Sequence, residues 1–483
     1  MASNVVLVVF DTARRDAFAP YGAQRNTPAI AEMASRGAAH PNAYATASWT
    51  VPSHASLFSG KLPRSAGFQH RGATGDGVYR EANAQLDARG ELLPGVLRAQ
   101  GYETRGLSGN TWITDHTGFH RGFDEFRLVT RRRPGRMHKK GLRDRLAWRM
   151  DAVRARLDDG AAEVGELLES WIARRDRKPF FWFVNLIECH SPYMPPLPFN
   201  PLSPVDRWRA ADEASEYLNV ASIWKCSLGG FDVPDDAIER MRLLHNASAA
   251  QLDAWVARLL TSLDKHGLLD DTQIVLTSDH GENLGDGKLL GHSFSLDDRL
   301  LKVPLVTAGP SALPTDSVFS LAALPAWLCS VAGVEEHPFE PEFAPGVAVA
   351  QLDAPGDGSP HKCLHDVQIW DWPDDGAAAA ARLGTSITCA TDGRLKLSRP
   401  HGTGARAAGL PFELLVDLEA DPVEMNPRAV TPSQEVEHAA ALRVLRAALD
   451  RAAELERPKT VPRSGQPDRD EALAEQLAHL GYL

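Results

Sequence analysis

The sequence predicts an α/β fold: a large, mostly parallel sheet covered by helices on both faces, with a smaller C-terminal antiparallel-sheet subdomain and helix. Three observations carry this. Continuous apolar runs such as Asn4–Phe10, Phe180-Phe181-Trp182-Phe183-Val184 and Ile274-Val275-Leu276 have the composition of strands buried on both faces. From Met1 to about Asp357 such runs alternate with helical stretches, the pattern of βα units. A Gly/Pro/Asp-rich joint, Ala354-Pro355-Gly356-Asp357-Gly358-Ser359-Pro360, then separates them from shorter strand-like segments. Two parts are therefore expected, residues 1–357 as the main α/β domain and 358–483 as a smaller α+β subdomain packed on it. A chain of 483 residues exceeds one typical core.

Along the chain, the run Asn4–Phe10 ends in Asp11-Thr12-Ala13-Arg14. A carboxylate at the C-terminal end of a central strand sits where open α/β sheets bind ligands, so Asp11 is a metal-ligand candidate. Next, Ser48-Trp49-Thr50-Val51-Pro52-Ser53-His54 has the form of a loop opening a helix, with Thr50 or Ser53 as cap and Pro52 in the first turn. Such an N-terminus offers N–H groups and partial positive charge to an anion, although the same pattern also makes an ordinary strand-helix junction. A strand from Glu103 to Leu107 leads to Asn110, either a turn former or a donor to a bound anion. The run from Phe180 ends at Glu188 and His190. A helix from about Ala247 to Gly267 precedes an apolar strand that terminates in Asp279-His280-Gly281-Glu282. Lys288 and His292 follow on the segment Gly285 to Asp298, and Leu300 to Val306 reads as the next strand. Beyond the joint, strands are expected around Cys363 to Trp372, Ser386 to Ser398 and Phe412 to Leu418. A helix from about Ser433 to Leu455 and a short amphipathic tail, Asp470 to Leu483, close the chain.

The Ser48–Gly60 loop, the Asp11 strand end, the segment Glu188-Cys189-His190-Ser191-Pro192-Tyr193 and the string Asp279-His280-Gly281-Glu282 together resemble the sulfatase-like branch of the alkaline phosphatase superfamily. The likeness spans nearly the whole chain. In sulfatases the Cys or Ser two residues before the proline is oxidised to formylglycine; here Thr50 stands there, and a secondary alcohol does not give that aldehyde. The resemblance thus points to superfamily members that attack phosphorus with a metal-bound threonine alkoxide. It implies a divalent ion (Mn²⁺, Zn²⁺, Mg²⁺ or Ca²⁺) on Asp11, Asp279, His280 and Thr50, a donor set that suits such ions. It implies Thr50 as nucleophile, His190 and His292 as catalytic partners at the substrate oxygens, and His54, Asn110 and Lys288 as substrate contacts. Glu188 would orient His190 or join a second metal. Three departures stand out: Thr12 replaces a second Asp, Gly287 replaces a histidine common in relatives, and His54 replaces an arginine. The first two favour one ion over two.

The expected activity is metal-dependent hydrolysis of phosphate mono- or diesters, or of phosphonates, through a phosphothreonine intermediate. The alternatives are a sulfate-ester hydrolase, a phosphotransferase to an acceptor alcohol, and a non-catalytic binding protein. A net charge of −11 argues against general nucleic-acid binding; the partner that the resemblance implies is a small anionic ester, of phosphorus or sulfur. The stretch Arg127 to Arg156 opposes that average; it is either a solvated face or a lid that steers an anion. The five cysteines are scattered and read as reduced thiols. The early apolar run is too short for a secretory leader and no run reaches membrane-spanning length, so the expected location is cytoplasmic, with no membrane partner. A homo-oligomer is left open.

Overall fold

The computed structural model describes residues 3–22, 26–67, 82–83, 85–87, 91–129, 141–156, 158–354 and 381–456. The basic triplet at 131–133, the strand expected at 363–372 and the tail at 470–483 lie outside them.

A seven-stranded sheet forms the centre. From edge to edge it runs Ala38–Ala39, Leu305–Ala308, Thr272–Ser278, Asn4–Phe10, Phe180–Leu186, Glu103–Ser108 and Glu125–Leu128. The five strands from Thr272–Ser278 to Glu125–Leu128 are parallel neighbours. Leu305–Ala308 pairs antiparallel with Thr272–Ser278 at the other side.

The first strand shows why its apolar run is continuous. Successive side chains of a strand point to opposite faces. Val5, Leu7 and Val9 enter a core with the helices Thr50–Ser59, Leu93–Ala99 and Leu324–Val331. Val6, Val8 and Phe10 enter another with the helices Pro28–Arg36, Ala161–Arg174 and Asp235–Lys265. Every residue of Asn4–Phe10 is buried. Both faces are covered by helices, as the alternation of segments predicts.

One expected strand is different. Leu300 to Val306 begins inside a short helix, Asp298–Leu301, and then gives two strands, Lys302–Val303 and Leu305–Ala308. Pro304, which has no N–H to donate, falls at the break.

A five-stranded antiparallel sheet runs Ala348–Leu352, Ser386–Thr391, Leu395–His401, Leu414–Asp417 and Arg428–Ala429. The helix Ala439–Leu455 packs on it through Leu442, Leu445 and Leu449. Its first strand precedes the joint at 354–360, so the chain enters this sheet earlier than the expected boundary. A buried ion cluster ties the sheet to the larger part: Lys396 Nζ lies 2.6 Å from Asp298 and 2.8 Å from Glu424, and it donates to the Leu296 carbonyl at 3.0 Å.

The four described cysteines are buried and unpaired. Among the described residues no helix is long and apolar enough to cross a membrane.

Candidate active site

Phe10 and Ser278 are partners in the parallel register of neighbouring strands, so Asp11 and Asp279 leave the sheet side by side. Both are fully buried. One oxygen of each is held: the Asn110 side-chain amide donates to Asp11 Oδ2 at 2.7 Å, and the Thr12 and His280 N–H groups donate to Asp279 Oδ1 at 3.1 and 2.9 Å. The other two oxygens, Asp11 Oδ1 and Asp279 Oδ2, make no hydrogen bond. Burial, reinforced by the Asp11 carboxylate, pushes the Asp279 carboxyl well above its ordinary range. Two buried carboxylates this close demand a positive partner.

His280 supplies the third donor. Its Nδ1 bonds the Gly281 carbonyl at 2.9 Å, so the proton sits there and the Nε2 lone pair is left for a ligand. Burial, with His292 and other imidazoles nearby, keeps this ring neutral at ordinary pH. One ligand atom each from Asp11, Asp279 and His280 lie within 4.8 Å of one another, a group that could hold a metal ion. Two unsatisfied carboxylate oxygens and one neutral imidazole fit a divalent ion.

Thr50 opens the helix Thr50–Ser59, which no side chain caps, and its Oγ1 lies 3.4 Å from His280 Nε2. The Ser53 hydroxyl donates to the Asp279 carbonyl at 2.6 Å and ties this helix to the metal-type cluster. Thr12 has φ +54°, a left-handed conformation that non-glycine residues seldom adopt and that recurs at functional sites. At the position where a second carboxylate was the family expectation, the chain contributes a backbone N–H to Asp279 instead.

His190 and His292 also meet here. The His292 ring centroid is 4.6 Å from that of His280 and 5.6 Å from that of His190. His190 Nδ1 bonds the Ser191 carbonyl at 2.8 Å. His292 Nδ1 bonds Glu282 Oε1 at 3.2 Å. Burial lowers the His292 pKa, but the Glu282 carboxylate outweighs it and the net shift is upward.

The structure places three of the expected residues elsewhere than at a substrate or at His190. His54 turns inward: its Nδ1 bonds the Thr50 carbonyl at 3.0 Å and lies 3.4 Å from Asp279 Oδ2, and its fully buried ring meets Phe119 and Phe183 edge-on. Burial pushes its pKa down to about 4, so it is neutral. Lys288 points outward, 76% exposed, and pairs with Asp232 at 3.0 Å. Glu188 does not hold His190; its Oε1 accepts the Ala161 N–H at 2.7 Å, at the start of the helix Ala161–Arg174. Asn110 reaches the site, but the described bond of its amide goes to Asp11 rather than outward. Glu282 went unassigned in the sequence, although the turn residues Gly285-Asp286-Gly287 between Asn283 and Leu290 signal the hairpin that delivers it.

The Sulfatase family model matches residues 3–326, about two thirds of the chain. The chain belongs to the sulfatase family. It is 25% identical to a choline-sulfatase of Rhizobium meliloti over 481 residues, covering 92% of this chain and 86% of that one. Among solved structures, a phosphonate monoester hydrolase of Agrobacterium radiobacter superposes with a TM-score of 0.63 at 19% identity, covering 94% of this chain and 96% of that one. A 2-O GAG sulfatase does so with a TM-score of 0.64 at 17% identity, covering 94% and 93%. At such identities the structural matches speak for the fold. This sulfatase-family hydrolase therefore carries its cluster of Asp11, Thr50, Asp279 and His280 on the fold that the resemblance implied.

Proposed function

We propose that the protein is a metal-dependent hydrolase of phosphate esters or phosphonates that uses Thr50 as its nucleophile. The observation that carries this reading is the placement of the Thr50 hydroxyl beside His280 Nε2, at a helix N-terminus and next to two unsatisfied carboxylate oxygens. A divalent ion on Asp11, Asp279 and His280 would supply the Lewis acidity that lowers the pKa of the Thr50 hydroxyl.

Thr50 Oγ1 attacks phosphorus; the Oγ–P bond forms as the bond from phosphorus to the leaving oxygen breaks. His292, held at Nδ1 by Glu282, gives its Nε2 proton to that oxygen. The uncapped N-terminus of the helix Thr50–Ser59 meets charge on the non-bridging oxygens, with His190 beside them. Asn110 and the Thr12 N–H keep the two carboxylates oriented. Water then attacks the phosphothreonine and gives a proton to His292 Nε2; the Oγ–P bond breaks, the phosphorus acid leaves and the Thr50 hydroxyl is restored.

A second reading, a sulfate-ester hydrolase, is favoured by the likeness to a choline-sulfatase along most of both chains. An activity panel separates the two. Aryl phosphate monoester, phosphodiester, phosphonate and sulfate substrates are offered to metal-stripped protein resupplied with Mn²⁺, Zn²⁺, Mg²⁺ or Ca²⁺. Metal-dependent turnover of a phosphorus ester, with phosphate trapped on Thr50 in quenched protein, supports the first reading. Turnover of the sulfate alone overturns it.

A further inference from the structure

Glu282 is fully buried, yet each of its carboxylate oxygens has a partner. Oε1 meets His292 Nδ1 at 3.2 Å, Oε2 accepts the Tyr193 hydroxyl at 2.9 Å, and its backbone carbonyl accepts from Arg14 Nη1 at 3.2 Å. We propose that Glu282 is the positioning residue for His292, and that Tyr193 in turn fixes Glu282. The proposal deepens the reading above and rests on it for the role of His292 at the leaving oxygen.

The backbone places this pair opposite each other. The strands Asn283–Leu284 and Leu290–Gly291 pair antiparallel, with Asn283 facing Gly291 and Leu284 facing Leu290. One step back along the same register, Glu282 faces His292. Facing residues of an antiparallel pair have adjacent side chains, so the contact is a property of the hairpin and not of a chance rotamer. The other end is equally fixed. The Gly281 N–H donates to the Leu300 carbonyl at 2.8 Å, and a Cβ on Gly281 would sit 1.9 Å from the Arg299 carbonyl oxygen. Only glycine lets the chain pass there. Tyr193, 1% exposed and at φ +49°, comes from the segment that follows His190. Glu282 therefore joins the segments that carry His190, His280 and His292.

The chemical consequence lies in the orientation of the ring. A carboxylate that accepts from Nδ1 points Nε2 at the substrate oxygen, and once Nε2 has given up its proton the neutral ring is left as the Nδ1–H tautomer. Without Glu282 the ring is free to rotate, and its neutral form to place the proton on either nitrogen.

The test compares Glu282→Gln, Tyr193→Phe, His292→Ala and the double variant of Glu282→Gln with His292→Ala, all metal-loaded, on a phenyl and a 4-nitrophenyl ester of the same phosphorus acid. A leaving group that needs its proton feels the loss of an oriented acid, whereas a good one does not. Glu282→Gln is expected to lower kcat on the phenyl ester roughly tenfold more than on the nitrophenyl ester, with KM held within about twofold. Tyr193→Phe should show the same pattern at smaller amplitude. In the His292→Ala background the Glu282 change should add nothing. Equal losses on both esters, or additive losses in the double variant, would overturn the proposal and leave Glu282 as a structural tie. Imidazole ¹⁵N shifts provide a readout without turnover: the neutral His292 ring should be the Nδ1–H tautomer in the parent and a mixture of tautomers in Glu282→Gln, and an unchanged tautomer also overturns the proposal. If His292→Ala is itself indifferent to the leaving group, the fault lies with the assigned role of His292, and the ¹⁵N result still decides for Glu282.

Discussion

The amide of Asn110 donates to Asp11 Oδ2 at 2.7 Å, with both side chains buried. It turns the other oxygen, Asp11 Oδ1, toward the cluster without a partner of its own. Outer partners of this kind typically contribute 10- to 100-fold to metal affinity. Asn110→Ala should weaken divalent-ion binding by roughly that factor. Competition titration against a chelating indicator measures it, and unchanged affinity would deny Asn110 this role.

Replacing Thr50 with serine keeps a hydroxyl at the head of the helix, whereas alanine removes it. Thr50→Ser should retain turnover within about an order of magnitude, while Thr50→Ala should lose roughly 10³-fold or more. Both variants should still bind the ion through Asp11, Asp279 and His280. Steady-state rates beside a metal titration read the two effects separately; full activity in the alanine variant would remove Thr50 as nucleophile.

Glu188 gives stability an unusual pH dependence. Burial, with Asp159 and Asp158 nearby, raises its pKa from an ordinary 4.5 to about 8. The folded carboxyl keeps a proton that the unfolded chain has already released, so its contribution falls as pH rises from 4.5 to about 8 and is flat above. The slope is at most about 1.4 kcal/mol per pH unit. Glu188→Gln keeps an oxygen for the Ala161 N–H but has nothing to ionise. The variant's melting temperature should gain on the parent's steadily across that window; parallel curves would refute the shift.

Lys396 sits among Asp298 and Glu424, fully buried against the loop that follows His292. Removing one partner of a buried ion cluster leaves charge without compensation. Lys396→Met should cost about 3–5 kcal/mol in chemical denaturation. A loss under about 1 kcal/mol would mean that the cluster is solvated in solution.

Much of the site was legible because it follows from strands. A run buried on both faces that ends in a carboxylate or histidine announces where a central strand meets the ligand side, and Asp11, Asp279 and His280 were found that way. Thr50 was singled out by its place two residues before Pro52. What escaped was settled by distant neighbours. Lys288 follows Gly287, whose φ of +58° belongs to a tight turn, and the backbone there carries the lysine outward. Glu188 was drawn to the open start of the helix Ala161–Arg174, which only the packed structure brings alongside. His54 lies one turn below Thr50 and was captured by that residue's own carbonyl and by two phenylalanines. Glu282 needed the hairpin register.

The pairing of Phe10 with Ser278 has one further consequence. The separation of the two carboxylates is inherited from backbone hydrogen bonding in the middle of the sheet, the part that opens last when a protein breathes. Shortening or exchanging the surface loops should alter which esters fit and leave the grip on the ion intact. Amide exchange of Phe10 and Ser278 should accordingly be as slow as any in the molecule, and the capacity to bind the cation should vanish only when the whole sheet comes apart.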